Sequence, residues 1–434
     1  MNLLYNHLSV NSDGHLAIGG LDTVELAREF GTPAYIMDED AIRTQMRTYL
    51  NAAHTYFGAD ALPLYASKAL CFTGIYRIAA EEGMGVDCVS GGELYTARAA
   101  GFPAERIYFH GNNKTERDIC EAMDMGVGTF VVDNTDELMT LEAHAAARGI
   151  TQRILLRITP GIDPHTHKAI VTGSVDSKFG SAIETGQAME IVKLALTQPH
   201  LHLSGFHCHI GSQIFDTDPF SSAADIMVRF IASVKAECGV EIEELNLGGG
   251  LGVPYTEYDS PVDYAGVIRD MAAIVHGFCD THGVRMPKVI LEPGRSLVAA
   301  AGITLYTVGS IKEIPGFRTY VSVDGGMPDN PRYALYQSTY TACIANRPDA
   351  PRDTRVTIAG RCCESGDLIG EDMPLQAARR GDILAVLTTG AYNFAMASNY
   401  NRLPRPPVIL VKDGKARVAV RRETYEDLIR NDMP

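Results

Sequence analysis

The sequence predicts a (β/α)8 barrel followed by a mostly β domain, an α/β plus β class, and three observations lead there. Short apolar runs recur from Leu62 to Glu292, each ending in reactive, polar or glycine residues, with helix-like stretches between them. Among the first four runs the interval is about two dozen residues, the length that a strand, a helix and two short loops require. After Arg295 the alternation stops, and apolar runs follow one another across Pro, Gly and Asp with little helical periodicity.

Taken in order, the barrel strands are expected at Leu62 to Ser67, Val86 to Val89, Ile107 to Phe109, Phe130 to Asp133, Ile154 to Ile158, Leu203 to Ile210, Leu245 to Leu247 and Val289 to Glu292. An earlier run, Pro33 to Met37, precedes a helix-like segment from Asp40 and is expected to lead into the barrel rather than close it. The β domain is expected to use Ile303 to Val308, Thr319 to Val323, Val356 to Ala359, Ile383 to Leu387 and Val408 to Val411, with Leu16 to Ile18 adding a strand. The barrel then spans residues 33–300, and the β domain 1–32 with 301–434. A chain of 434 residues, 46% of them hydrophobic, supports two such cores. The interval from Thr159 to Lys178, bracketed by glycine and proline, is the candidate loop to close over a site at the barrel mouth.

The net charge of −15, with no basic patch to override it, disfavours nucleic acid and anionic membrane as partners. Nine cysteines without CxxC pairing suit a reducing cytoplasm better than a disulfide framework. The opening MNLLYNHLSV has no basic leader, and no run approaches the ~18 apolar residues of a membrane span. Secretion and membrane spanning are therefore not expected.

In a barrel of this kind the catalytic groups gather at the carboxyl ends of the strands. Lys68 follows the first run, where it is either a reactive amine or a lysine lying along the surface. Gly248, Gly249 and Gly250 follow the seventh run, and three glycines let backbone N–H groups approach a phosphate, although a plain structural turn reads the same way. Glu292 and Arg295 flank Pro293 and Gly294 after the eighth, as site residues or as a structural ion pair. His207 and His209 alternate along the sixth run and face one side. Two such histidines can bind a metal, but no third ligand is near in sequence, and stacking or hydrogen bonding suits His209 better.

These pieces occur with YASKA at 65–69, GVDCVSGGEL at 85–94, FHGNNK at 109–114, HTHKAIVTG at 165–173, SKFG at 177–180, HIGSQ at 209–213, EPGRS at 292–296, CESGD at 363–367 and GAY at 390–392. In that order they resemble the alanine-racemase-fold pyridoxal phosphate decarboxylases, and more closely the diaminopimelate decarboxylase family, over essentially the whole chain. The resemblance implies pyridoxal 5'-phosphate as cofactor, with Lys68 as its Schiff-base nucleophile and Glu292 paired with the ring nitrogen. A lysine of reference pKa ~10.4 has to react near neutrality, which a partly desolvated mouth permits. His209 would lie against the ring, and Ser212, Gly248, Gly249, Gly250, Gly294, Arg295 and Tyr392 would complete the cofactor cradle. Asp87 would steer the lysine ammonium, or is a structural turn carboxylate.

The same resemblance makes Cys363 the proton donor, entering from the neighbouring subunit of a homodimer with composite sites; an inert cysteine is the alternative. Arg295, Arg332, Tyr336 and Tyr392 match positions that bind substrate, the guanidinium planes suiting a distal carboxylate, and Glu364 would take the distal ammonium. Tyr333 and Asn393 depart from the family pattern, which usually has proline and glycine there. The implied activity is removal of CO2 from meso-diaminopimelate to give L-lysine, in a cytoplasmic enzyme without a metal. The rivals are decarboxylation of another diamino acid or of carboxynorspermidine, a non-catalytic regulatory relative, and a metal-dependent barrel enzyme resting on His207 and His209.

Overall fold

A computed structural model describes residues 3–162 and 177–433. The chain forms two compact units, one of Gln45–Gly252 with Val262–Gly294, the other of Met1–Thr44, Val253–Pro261 and Arg295–Pro434.

The first unit is a closed barrel of eight parallel strands: β1 (Leu62–Ala66), β2 (Gly85–Cys88), β3 (Ile107–Phe109), β4 (Thr129–Val132), β5 (Gln152–Thr159), β6 (Leu201–His207), β7 (Glu244–Asn246) and β8 (Lys288–Leu291). Each strand overlaps one of the apolar runs. Consecutive strands pair, and β8 returns to β1 with Ile290 opposite Leu62, so no edge remains. Leu64, Tyr108, Val131, Leu155 and Ile290 form a buried cluster drawn from five different strands. Each such side chain contributes about 1.5–3 kcal/mol on burial.

Helices between the strands are bounded by local chemistry. The helix Glu116–Met125 opens on a capping box between Thr115 and Asp118 and ends at Gly126, whose φ of 76° is a left-handed conformation that glycine adopts without a Cβ clash. Its Ile119, Ala122 and Met123 are buried, the one-sided pattern of a helix covering a sheet. Among the described residues no helix is long and apolar enough to cross a membrane.

The second unit is built on the long strand Gly302–Ile314, which pairs with Ala34–Asp38, Arg318–Val323 and Ile383–Leu387. The run at 33–37, expected to lead into the barrel, thus belongs to this sheet, where Ala34–Asp38 also lies parallel to Val408–Lys412. All five of its residues are buried, as befits a strand covered on both faces. Leu16–Ile18 does not join that sheet either; it makes a small antiparallel sheet with Leu8–Val10 and Leu21–Asp22. Leu16, Ile18, Ile36, Leu305 and Ile409 share one core, which is why the N-terminal segment packs in this unit. Three further strands, Ala342–Ile344, Leu368–Leu375 and Lys415–Val420, escaped the sequence pattern because the first is only three residues long and Gly, Pro or charged residues interrupt the others.

Candidate active site

The barrel brings the ends of its strands to one mouth. Past β1 a 3-10 turn spans Ser67–Ala69; Ser67 and Ala69 are buried while Lys68 is exposed. The turn is anchored by Tyr65, whose hydroxyl donates to the Leu70 carbonyl at 2.6 Å, and by Ala66 N–H donating to the Pro293 carbonyl. Asp87 on β2 is buried, and burial raises its carboxyl above the usual range, His110 and Lys68 pulling the other way.

Glu292, one residue past β8, is the best-held group in this unit. Asn246, the last residue of β7, donates through Nδ2 to its Oε1 at 2.6 Å. His207, the last residue of β6, sits with Nε2 3.1 Å from Oε2. His110, just past β3, places Nε2 2.8 Å from Oε1, off the line of a good hydrogen bond. Burial opposes ionisation of Glu292, but the two imidazoles outweigh it and hold the carboxyl well below its usual range. Burial pushes His207 down to about 4, so its imidazole is neutral at pH 7. Each of these residues is at most 8% exposed.

The expectation that His207 and His209 share one strand face is corrected here. β6 ends at His207, and the chain then leaves the ladder, Cys208 N–H making a last bond to the Asn246 carbonyl. His209 turns instead to the glycine segment, its Nδ1 accepting from Gly249 N–H at 3.3 Å. Burial, with the Lys68 charge nearby, keeps His209 neutral. The metal-like partners of His207 are His110 and Glu292, whose ligand atoms lie within 4.8 Å of one another; sequence spacing could not reveal them.

The glycines are required by crowding. A Cβ on Gly249 would lie 2.1 Å from the Glu292 carbonyl oxygen, and one on Gly248 would lie 2.4 Å from that of Cys208. The turn is thereby pressed against the residue that follows β8, where Glu292 N–H donates to the Gly248 carbonyl at 2.7 Å. Gly294 lets the EPGR segment pack on Ala66, where a Cβ would come within 2.9 Å of the alanine Cβ. Ser212, half-buried, lies past the same β6 end. The SKFG segment packs on β5: Arg157 stacks 4.3 Å over Phe179, and Gly180 N–H donates to Asp133. HTHKAIVTG at 165–173, and with it most of the candidate closing loop, lies outside the described residues.

In the other unit the remaining candidates fall into two groups. Arg295 stacks 4.8 Å over the Tyr392 ring and donates through Nη1 to the Tyr255 hydroxyl at 2.8 Å. Arg332 lies 5.5 Å over the same Tyr392 ring and 5.0 Å over Tyr336. Both guanidiniums are buried, and Arg332 Nε has no hydrogen-bond partner. Cys363 and Glu364 sit on an exposed loop. Asp367 holds that loop by accepting from Cys362 N–H and Met327 N–H, both at 2.6 Å, and Asn401 accepts from Cys363 N–H. Tyr333 and Asn393 do different things: Tyr333 donates to Glu371 at 2.6 Å, whereas Asn393 is buried and donates to the Thr389 carbonyl.

Against known proteins, residues 40–299 match the model described as "Pyridoxal-dependent decarboxylase, pyridoxal binding domain". The diaminopimelate decarboxylase of Halalkalibacterium halodurans is 49% identical over 98% of this chain and 97% of its own length. The chain belongs to the diaminopimelate decarboxylase family. A Bacillus subtilis member is 47% identical over 98% of this chain and 96% of its own. The crystal structure of the M. jannaschii family member in complex with L-lysine matches with a TM-score of 0.91, at 38% identity over 99% of this chain and 98% of that one. As a member of this pyridoxal-dependent family, the chain is a decarboxylase.

Sequence reading assigned no role to His110, Asn246, Arg157 or Tyr255. His110 was accessible to it, since it directly follows a recognised apolar run, as Lys68 does, and Asn246 was the polar residue inside the run Leu245 to Leu247.

Proposed function

We propose that this chain removes CO2 from the D-configured centre of meso-diaminopimelate to give L-lysine, using pyridoxal 5'-phosphate. The observation that carries the substrate class is the pair of buried guanidiniums on one tyrosine ring, with a donor left unmet on Arg332. A planar carboxylate at the far end of the substrate satisfies such a pair by bidentate contact. A diamino acid lacking it would leave the Arg332 donor buried and unmet, which is how the site discriminates.

The residues present suit the cofactor. A buried carboxylate kept ionised matches a protonated ring nitrogen, and the close-packed glycine turn offers backbone N–H groups to a phosphate. Pyridoxal phosphate, when bound, supplies an electron sink for the bond broken at the substrate's α-carbon. Lys68 would be its covalent tether, Glu292 would pair with the ring nitrogen, His209 would lie against the ring, and Ser212, Gly248, Gly249, Gly250, Gly294, Arg295 and Tyr392 would complete the residues that hold it. Asp87 steers the Lys68 ammonium. Arg295, Arg332 and Tyr336 orient the distal carboxylate, and Glu364 takes the distal ammonium. Cys363 returns a proton to the α-carbon from the partner chain of a cytoplasmic homodimer, in keeping with its exposure on a firmly anchored loop.

The test is turnover of the purified enzyme on a panel of amino acids, with lysine detected as product. A clear preference for diaminopimelate supports the reading, and a preference for ornithine or arginine rejects it. Cys363→Ala should keep the cofactor absorbance and lose most turnover, with Cys362→Ala near wild type; undiminished turnover of the first variant removes Cys363 from the mechanism.

A further inference from the structure

We infer that His110 and His207 are positioning residues that clamp the Glu292 carboxylate, ionised and in one orientation, for the cofactor's ring nitrogen. The inference rests on the cofactor reading above. The two imidazoles come from separate strand ends, β3 and β6, and their rings pack edge to face with centroids 4.8 Å apart. Each turns Nε2 toward a different oxygen of Glu292, at 2.8 and 3.1 Å, while Asn246 shares the first oxygen. An ionised carboxylate only accepts, so a neutral imidazole meets it best through an Nε2–H.

His207 reveals the directionality. Its Nδ1 is buried and has no hydrogen-bond partner, so the ring forgoes one bond while its Nε2 faces Glu292. In the Nε2–H tautomer the unpartnered atom is a bare lone pair, which costs less to bury than an orphaned N–H.

His110 is fixed from behind. Its N–H donates to the Cys88 carbonyl at 2.8 Å, and the loop after it is tied down by Lys114, whose Nζ donates to Gly111 and Val131 carbonyls and to Glu137 at 2.7 Å. Lys114 is buried, so the loop is held by a desolvated ion pair. The other titratable groups with influence on the cluster are Asp87, whose Oδ1 lies 3.9 Å from His110 Nε2, together with Asp133, Arg157, Lys68, Cys208 and the neutral His209.

The distinction from a merely structural pair is that the clamp sets the protonation of the cofactor ring. On the wild-type chain, 15N NMR of the histidines should show Nε2–H tautomers for both rings; an Nε2 without hydrogen on either ring overturns the inference with no variant needed. With 15N-labelled cofactor, the ring nitrogen should be protonated in wild type and largely unprotonated in the His110→Ala, His207→Ala double variant. Turnover should fall about ten- to a hundredfold for each single variant, the effect of losing a hydrogen bond to a charged group, with KM little changed. His207→Gln, which restores an N–H donor, should recover most of the signal. A double variant that retains ring protonation overturns the clamp, and so does a stoichiometric divalent ion in the purified protein whose chelation blocks cofactor binding. If wild type binds no cofactor at all, it is the underlying reading that has failed, and the two failures are thereby told apart.

Discussion

Two buried charges, Glu292 in the barrel and Arg332 in the β unit, are treated in opposite ways. In the barrel, Glu292 is met by Asn246, His207 and His110. In the β unit, Arg332 is equally buried but faces aromatic rings, its Nε unmet, and the neighbouring Asn330 amide is buried with neither of its polar atoms partnered. A carboxylate satisfied within the chain is pre-organised before any ligand arrives. Donors left unmet store recognition for a ligand that brings the missing acceptor. The difference teaches that a buried charge can be settled inside the fold or left with a donor for a ligand to meet, and under the proposed function Glu292 is the first kind and Arg332 the second.

The sharpest test of that contrast is Glu292→Ala. Turnover should fall by about a thousandfold, as for loss of a principal electrostatic group. Stability should drop by about 3–5 kcal/mol, because His207 and Asn246 lose their acceptor and His110 its neighbouring carboxylate; a thermal melt and steady-state kinetics measure both. Unchanged stability would break the claim that this cluster is self-satisfied.

Arg332→Leu should do the reverse. It removes a buried charge whose Nε has no hydrogen-bond partner, so the melting temperature should stay level or rise. The kcat/KM for diaminopimelate should fall about a hundredfold, since truncating a charged recognition contact costs about 2–5 kcal/mol. Arg332→Lys should not rescue it, because an ammonium cannot reproduce the planar fork.

Acid should distinguish the units by pH. His207 is held at about 4 in the folded chain against 6.5 ordinarily, so between those values the unfolded state binds more protons. The His207 contribution to stability therefore falls as pH drops from about 6.5 to about 4, by on the order of 3 kcal/mol, while Glu93 and Asp329, both raised to about 7 by burial, contribute in the opposite direction. Glu292, depressed by folding, adds a loss in the same direction at lower pH. Denaturant titrations across that range should show wild type losing stability relative to His207→Gln as pH falls, the difference between the two isolating the His207 contribution.

The smallest effect is expected at Asn393→Gly, the substitution toward the family pattern. The Asn393 carboxamide oxygen accepts from the Tyr340 hydroxyl at 3.4 Å, and Tyr340 packs edge-on against Tyr255, which holds Arg295. A change of less than about tenfold in KM, with kcat constant, is the outcome for so indirect and long a contact. A large loss of kcat would mean that Asn393 touches the reacting centre.

Much of this was legible without coordinates, for reasons particular elements make clear. Ile107–Phe109 and Ile290 lie in runs whose burial shows as uninterrupted apolar residues, so all eight strands were visible. Ala34–Asp38 looks the same locally, and only its pairing with Gly302–Ile314, about 270 positions later, assigns it to the β unit. His207 announced itself as polar within an apolar run, yet its partner Glu292 is 85 residues away. His110 stood just past a recognised run and Asn246 inside one, with nothing nearby to suggest a carboxylate.

The residues by themselves therefore determined the alternating elements, the division into barrel and β unit, and the order of motifs that marks the family. Side-chain periodicity and turn chemistry act over a few positions, and so they can be read locally. Only the tertiary structure decided which groups meet. Closing β8 onto β1 draws strand ends from the whole barrel to one mouth, where burial strengthens each charge interaction, and no local pattern records which imidazole will face which carboxylate.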